Sequence, residues 1–236
     1  MFGNSRPPVA RNTLRVLSAV LGYPSAELRG HAAQMRAALH QEQALSAARL
    51  AELDALLVAL ERRTLLDSEE QYVALFDHGR ATSLHLFEHV HGDSRDRGPA
   101  MIDLAQTFEK AGLYLAEGEL PDYLPAVLEF VSTQPPAQAR DFLAEMAHIL
   151  NAIFNALQQQ HSAYASVLGA LLDLAGEKAS AVKVAPEDDL DQSWAEPPVF
   201  DGCSSKGQAR PGEPQPIHIQ RPARATPSNE RQGVAS

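Results

Sequence analysis

Through the first three quarters of the chain, apolar residues recur at intervals of three and four, the spacing that gathers them on one side of an α-helix. In "RNTLRVLSAVLGYP", Leu14, Leu17 and Leu21 share a face, and Gly22 and Pro24 supply the stop. "SAELRGHAAQMRAALHQ" follows, with Ser25 placed as an N-cap. "SAARLAELDALLVALERR" sets Leu50, Leu53, Leu57 and Leu60 at helical spacing. "DSEEQYVALFDHG" offers Asp67 and Glu70 in a capping-box-like arrangement, turns Tyr72, Leu75 and Phe76 inward and closes at Gly79.

Further on, "GPAMIDLAQTFEKAGLYLAEG" has Pro99 where a first-turn proline belongs, and "PDYLPAVLEFVS" starts at Asp122 with Pro125 still in its first turn. "PPAQARDFLAEMAHILNAIFNALQQQ" and "HSAYASVLGALLDLAG" complete the set. No segment alternates as a half-buried strand does. The pattern predicts an all-α domain, a single bundle of about seven to nine helices over residues 1–176.

The composition changes near residue 176. Pro, Gly, Ser, Gln and charges dominate 177–236, a mixture that buries too little apolar surface to offset the entropy of ordering. This part is expected to be a disordered tail, in which Trp194, Val199 and Phe200 form a small apolar cluster. The chain carries a formal charge of −10. Residues 1–176 hold 13 Lys+Arg against 21 Asp+Glu, so neither part offers the basic surface of a nucleic-acid binder. An acidic body favours basic peptides instead. The single cysteine, Cys203, rules out a disulfide framework. No apolar run reaches membrane length, and "MFGNSRPPVARNTLRVL" does not read as a secretory signal. The expected compartment is the cytoplasm.

The densest chemistry lies in "SLHLFEHVHGDSRDRG", residues 83–98. Within it, His85-Leu86-Phe87-Glu88-His89 reads H-x-x-E-H, a zinc-binding pattern of metalloproteases. Helical spacing would set His85 and His89 one turn apart, with Glu88 to polarise a water. A third ligand is not offered in any comparable motif. The plainer reading is a short helix whose histidines hydrogen-bond to neighbours, and a third has them touching a partner. In "DSRDRG", Asp93, Ser94 or Asp96 is placed to cap the next helix, and Arg95 and Arg97 to tie it to Asp93, Asp96 or Glu88. No phosphate-binding loop, nucleophile elbow or cofactor motif appears, so no resident cofactor or metal and no catalytic set is expected.

Residues 72–104, "YVALFDHGRATSLHLFEHVHGDSRDRGPAMIDL", resemble the defining segment of the nitrate reductase delta chain family, the NarJ-type molybdenum cofactor assembly chaperones. "LPDYLPAVLEF" resembles that family's second marked segment, and "LRVLSAVLGYP" its opening helix. The likeness runs over residues 11–175 and stops before the tail.

The resemblance implies an all-helical maturation chaperone that is neither an enzyme nor a subunit of the finished reductase. It implies a partner, the apo catalytic alpha chain, bound by its N-terminal peptide and held for insertion of the molybdenum cofactor before membrane attachment. Such a peptide would lie in a groove as an amphipathic helix. Its apolar side chains would meet Tyr72, Phe76, Phe87 and Tyr123, and its basic ones Asp77, Glu88, Asp122 or Glu129. His89, Arg95 and Arg97 of the marked segment complete the candidate contacts. The competing reading is a metal-dependent hydrolase built on residues 85–89. A weaker one is a helical scaffold that binds a nucleotide-bearing cofactor directly.

Overall fold

The computed structural model of the chain describes residues 9–92 and 94–180, and every described residue outside turns and loops is helical apart from one isolated bridge. The expected tail, with Trp194, Val199, Phe200 and Cys203, lies outside the described residues from 181 on. Among the described residues eleven α-helices run in order: α1 (Arg11–Leu21), α2 (Ala26–Gly30), α3 (Ala32–Glu42), α4 (Ala47–Arg62), α5 (Leu65–Phe76), α6 (Leu86–Val90), α7 (Arg97–Lys110), α8 (Leu124–Thr133), α9 (Pro136–Glu145), α10 (Ala147–Gln159) and α11 (Ala165–Ala175). A 3-10 turn, Arg80–Thr82, precedes α6.

The helices outnumber the seven to nine expected because two long periodic runs break. One breaks at His31, between α2 and α3, the other at Met146, between α9 and α10. The break at Met146 has no Pro or Gly at the joint, and at His31 there is only the single Gly30 that ends α2, which a helical run tolerates, so periodicity carries across both.

The centre of the bundle is α11. All of its residues except Asp173 are buried, as suits a helix that is apolar all round. It packs on α10, α9 and α4, while α1 packs along α8. Leu14, Leu17 and Leu21 of α1 and Leu50, Leu53, Leu57 and Leu60 of α4 all lie in the core, as their spacing predicts. The Ser18 hydroxyl donates to the carbonyl of Pro125 at 2.8 Å, pinning α1 to the first turn of α8.

Helix ends follow local chemistry. Ser25 caps α2 by accepting the Leu28 N–H at 3.1 Å. The helix expected to open at Asp67 opens earlier, at Leu65, with Thr64 as N-cap accepting the Asp67 N–H at 3.1 Å. Thr64 wins because its hydroxyl reaches a free N–H three residues on. Helix α1 has Ala10 at its N-cap and so lacks a local acceptor. The Glu42 carboxylate supplies one from the end of α3, accepting the Asn12 and Thr13 N–H groups at 3.0 and 2.6 Å. Gly176 closes α11 with φ +79°, a conformation that favours glycine.

Candidate functional site

The marked segment folds around one buried carboxylate. Strand-like pairing joins residues 84–86 to 122–124: the Leu124 N–H donates to the Leu84 carbonyl at 2.8 Å, and the Leu86 N–H to the Asp122 carbonyl at 3.0 Å. This sets His85 opposite Tyr123 as an antiparallel bridge, their rings 5.4 Å apart. The Asp122 side chain is fully buried. One carboxylate oxygen accepts the Phe87 N–H at 3.2 Å, capping α6, and the other lies 3.3 Å from Nδ1 of His85. Arg97, the first residue of α7, reaches Glu88 at 3.5 Å and Asp122 at 3.8 Å. One aspartate thus ties the starts of α6, α7 and α8. Its hydrogen bond raises the His85 pKa above the ordinary histidine value, against the opposing effect of partial burial.

This arrangement changes the H-x-x-E-H reading. His85 is not on a helix. It precedes α6 in extended conformation, so it does not stand one turn from His89 on a shared face. Nδ1 of His85 faces Asp122, and Nε2 of His89 faces the Ser83 carbonyl at 2.9 Å. Among the described residues no group of His, Cys, Asp or Glu is arranged to hold a metal ion. The contact of Arg97 with Glu88 is the interhelix tie expected of it. Asp96 occupies the N-cap position of α7 without a side-chain capping bond; instead Ser94 Oγ accepts the Asp96 N–H at 3.2 Å. Asp93 lies outside the described residues.

The other candidate residues separate into two groups. Tyr72 and Phe76 are only 5% and 6% exposed, inside an aromatic cluster with Tyr164. The Tyr72 hydroxyl donates to the Leu21 carbonyl at 2.9 Å, so the neighbouring Tyr123 hydroxyl, 3.1 Å away, donates to Tyr72. Burial pushes the Tyr72 and Tyr123 hydroxyls up, and that of Tyr164 up to about 12, so all three remain protonated. Phe87, Glu88, His89, Arg97 and Tyr123 are half-buried, whereas Asp77, Arg95 and Glu129 are exposed.

Tyr123 also borders a hollow that it shares with the expected Glu129 and with residues that sequence reasoning did not single out, among them Phe108, Tyr114, Glu119 and Phe130. Phe108 and Phe130 stack at 4.7 Å in its floor. Tyr114, 80% exposed, stands at its edge, and Glu119 and Glu129 supply carboxylates. The signal for it was present: residues 101–130 carry six carboxylates against one lysine, around "GLYLAEGELPDYLP". An apolar floor with acidic edges suits a basic amphipathic segment.

The family model described as "Nitrate reductase delta subunit" matches residues 27–169. The chain belongs to that family. It is 41% identical over 196 residues to the Escherichia coli K12 protein named "Nitrate reductase molybdenum cofactor assembly chaperone NarJ", covering 79% of this chain and 83% of that one. A Bacillus subtilis protein, named as a probable chaperone of the same kind, is 32% identical over 163 residues, 68% of this chain and 86% of its own. Among solved structures, a putative redox enzyme maturation protein from Archaeoglobus fulgidus shares the helical fold, with TM-score 0.50 and 21% identity over 71% of this chain and 94% of that chain. The two segments on which the sequence resemblance rests most, 72–104 and 120–130, are joined in space by Asp122. No described helix is long and apolar enough to cross a membrane.

Proposed function

We propose that this delta-subunit-family protein is a client-specific chaperone, not an enzyme. Its client is the apo catalytic alpha chain of nitrate reductase, which it holds in the cytoplasm for molybdenum cofactor insertion before membrane attachment. The observation that carries this reading is the 41% identity to a named nitrate reductase assembly chaperone across 83% of that protein's length. The hollow beside Tyr123 supports a peptide-capture mechanism. The client's N-terminal peptide lays apolar side chains over Phe108 and Phe130 and against Tyr114 and Tyr123, and its basic residues meet Glu119 and Glu129. Tyr72 and Phe76, being buried, back the Tyr123 wall from inside. Phe87, Glu88, His89, Arg95, Arg97 and Asp77 do not line this hollow and are proposed as further contacts of the client outside it. Asp122, fully buried and engaged by Phe87, His85 and Arg97, holds the segment together and does not meet the client.

The test is capture of the full-length tagged protein from its native cell under nitrate-respiring conditions, with mass spectrometry of what comes with it. The catalytic chain, lacking molybdenum, is the expected partner. Its absence from the captured material, with another protein in its place, would overturn the reading.

A further inference from the structure

Two more hollows continue the one beside Tyr123. The next shares Leu113 and Glu129 with it and adds Arg15, Ser132 and Thr133. The third shares Ser132 with the second and is the roomiest, a cavity of about 410 Å³ between the start of α1, the end of α8 and α9. Together they follow α8 from its first turn past its last, a span of about 15 Å at the rise of an α-helix.

The two ends of this valley differ in charge. The Tyr123 end carries Glu129 and also Glu119, one of whose oxygens accepts the Ala116 N–H at 3.1 Å. In the middle, Arg15 and Glu129 line the same hollow and offset each other. The far cavity has an apolar lining that includes Leu14, Val131, Leu143 and Leu174, and carries Arg11 and Arg140 on its rim. It also contains Glu42, but that carboxylate is already engaged by the Asn12 and Thr13 N–H groups at 3.0 and 2.6 Å. Its charge serves the N-terminus of α1. Arg11 and Arg140 are both exposed residues, although the Arg140 guanidinium also lies against the end of α11, where its Nε donates to the Ala175 carbonyl at 3.4 Å. Acid at one end, base at the other, apolar lining in the two end hollows and a polar middle of Arg15, Glu129, Ser132 and Thr133 select an occupant with the reverse order of charge.

We propose that the valley along α8 holds a single client segment end to end, with cationic side chains at Glu119 and Glu129 and an apolar anchor followed by carboxylate in the Arg11–Arg140 cavity. This rests on the peptide-capture reading and adds to it a second anchoring pocket and a fixed polarity for the bound segment. Polarity of this kind rejects segments of the wrong charge order by placing like charges together.

The test uses the full-length protein and a synthetic peptide covering the amino-terminal segment of the catalytic chain from the same organism. Affinity is measured by calorimetry for the unaltered protein and for two double variants, Arg11→Glu with Arg140→Glu and Glu119→Lys with Glu129→Lys. Each is expected to weaken binding about tenfold. Replacing the peptide's carboxylates by lysine should restore affinity to the arginine variant and weaken binding to the unaltered protein. Arg140 also donates to the Ala175 carbonyl at 3.4 Å, so unfolding midpoints are recorded and Arg11→Glu is measured alone. The single change should weaken binding several-fold by itself.

If the arginine variants bind as the unaltered protein does while the glutamate variant weakens, the cavity is not part of the site: the proposal falls and the chaperone reading stands. If the unaltered protein binds neither peptide nor intact catalytic chain, the chaperone reading falls first. If deleting residues 2–8 strengthens peptide binding several-fold, the cavity is occupied by the chain's own start, and the proposal is overturned.

Discussion

The buried carboxylate of Asp122 accepts the backbone N–H of Phe87, thirty-five positions earlier in the chain, at 3.2 Å. It thereby does for α6 what an N-cap residue does locally, while its second oxygen faces His85. Asp122→Ala leaves the Phe87 N–H, His85 and Arg97 without their shared acceptor inside the protein. A cost of about 3–5 kcal/mol is expected, the range for removing one partner of a buried charged pair. Asp122→Asn keeps an oxygen for Phe87 and loses only the charge, so it should cost roughly half as much. Urea unfolding followed by circular dichroism measures both. Equal losses would mean that the charge, not the cap, dominates.

The same contact makes stability depend on pH. The His85 pKa is raised in the folded chain, first by its hydrogen bond to Asp122. A raised folded pKa means that the protonated form is favoured by folding. The contribution is therefore complete below the unfolded value, about 6.5, and is lost as pH rises through the folded one. Unfolding midpoints taken from about pH 5.5 to about pH 8.5 should converge between the unaltered protein and His85→Gln as pH rises. A gap that widens with pH would show that His85 is held neutral.

How much of this could be read in the chain itself varies by element. Leu14, Leu17 and Leu21 declared their face because period 3.6 is a local property, and α11 declared its depth by being apolar on every side. The break at Met146 carries no Pro or Gly, and the single Gly30 beside His31 is tolerated within a helical run, so periodicity places neither. The role of Asp122 was hidden for a different reason. Its partners lie twenty-five to thirty-seven residues away, and only the pairing of 84–86 with 122–124 brings them to it. Spacing within H-x-x-E-H assumed that a helix ran through His85, and that same pairing holds His85 extended. Glu42 as the cap of α1 is equally non-local, arising from the return of α3.

Tyr72 gives a third expectation. Its hydroxyl donates to the Leu21 carbonyl at the end of α1 and accepts from Tyr123, in a buried setting. Tyr72→Phe keeps the ring and its packing on Phe76 and Tyr164, so the change isolates the hydroxyl. It strands one carbonyl and one phenol, and about 1–3 kcal/mol should be lost. Tyr123→Phe removes a donor whose own residue is half-buried, and should cost less than 1.5 kcal/mol or so. Denaturant unfolding of the two single variants and the double variant gives their coupling. Additive losses would show that the two hydroxyls do not interact.

The last expectation separates binding from folding at the hollow beside Tyr123. Phe108 and Tyr114 both line it, but they stand differently: Phe108 is 2% exposed and stacked on Phe130, whereas Tyr114 is 80% exposed. Phe108→Ala opens a void in the core and should cost about 3–5 kcal/mol of stability. Tyr114→Ala should leave the unfolding midpoint within about 0.5 kcal/mol, since little is lost by truncating an exposed ring. Covered by a client peptide, that ring would bury apolar area worth about 1.5–3 kcal/mol, so its loss should weaken peptide binding about 10- to 100-fold. Raising salt should weaken the interaction of the unaltered protein far less, because exposed ion pairs add about 0–1 kcal/mol each and act mainly on association. Calorimetry with the client peptide at low and high salt, beside urea unfolding of each variant, reads all four quantities. Unchanged affinity in a folded Tyr114→Ala protein would move the peptide away from this hollow. Binding that vanished at moderate salt would replace the apolar groove with an electrostatic clamp.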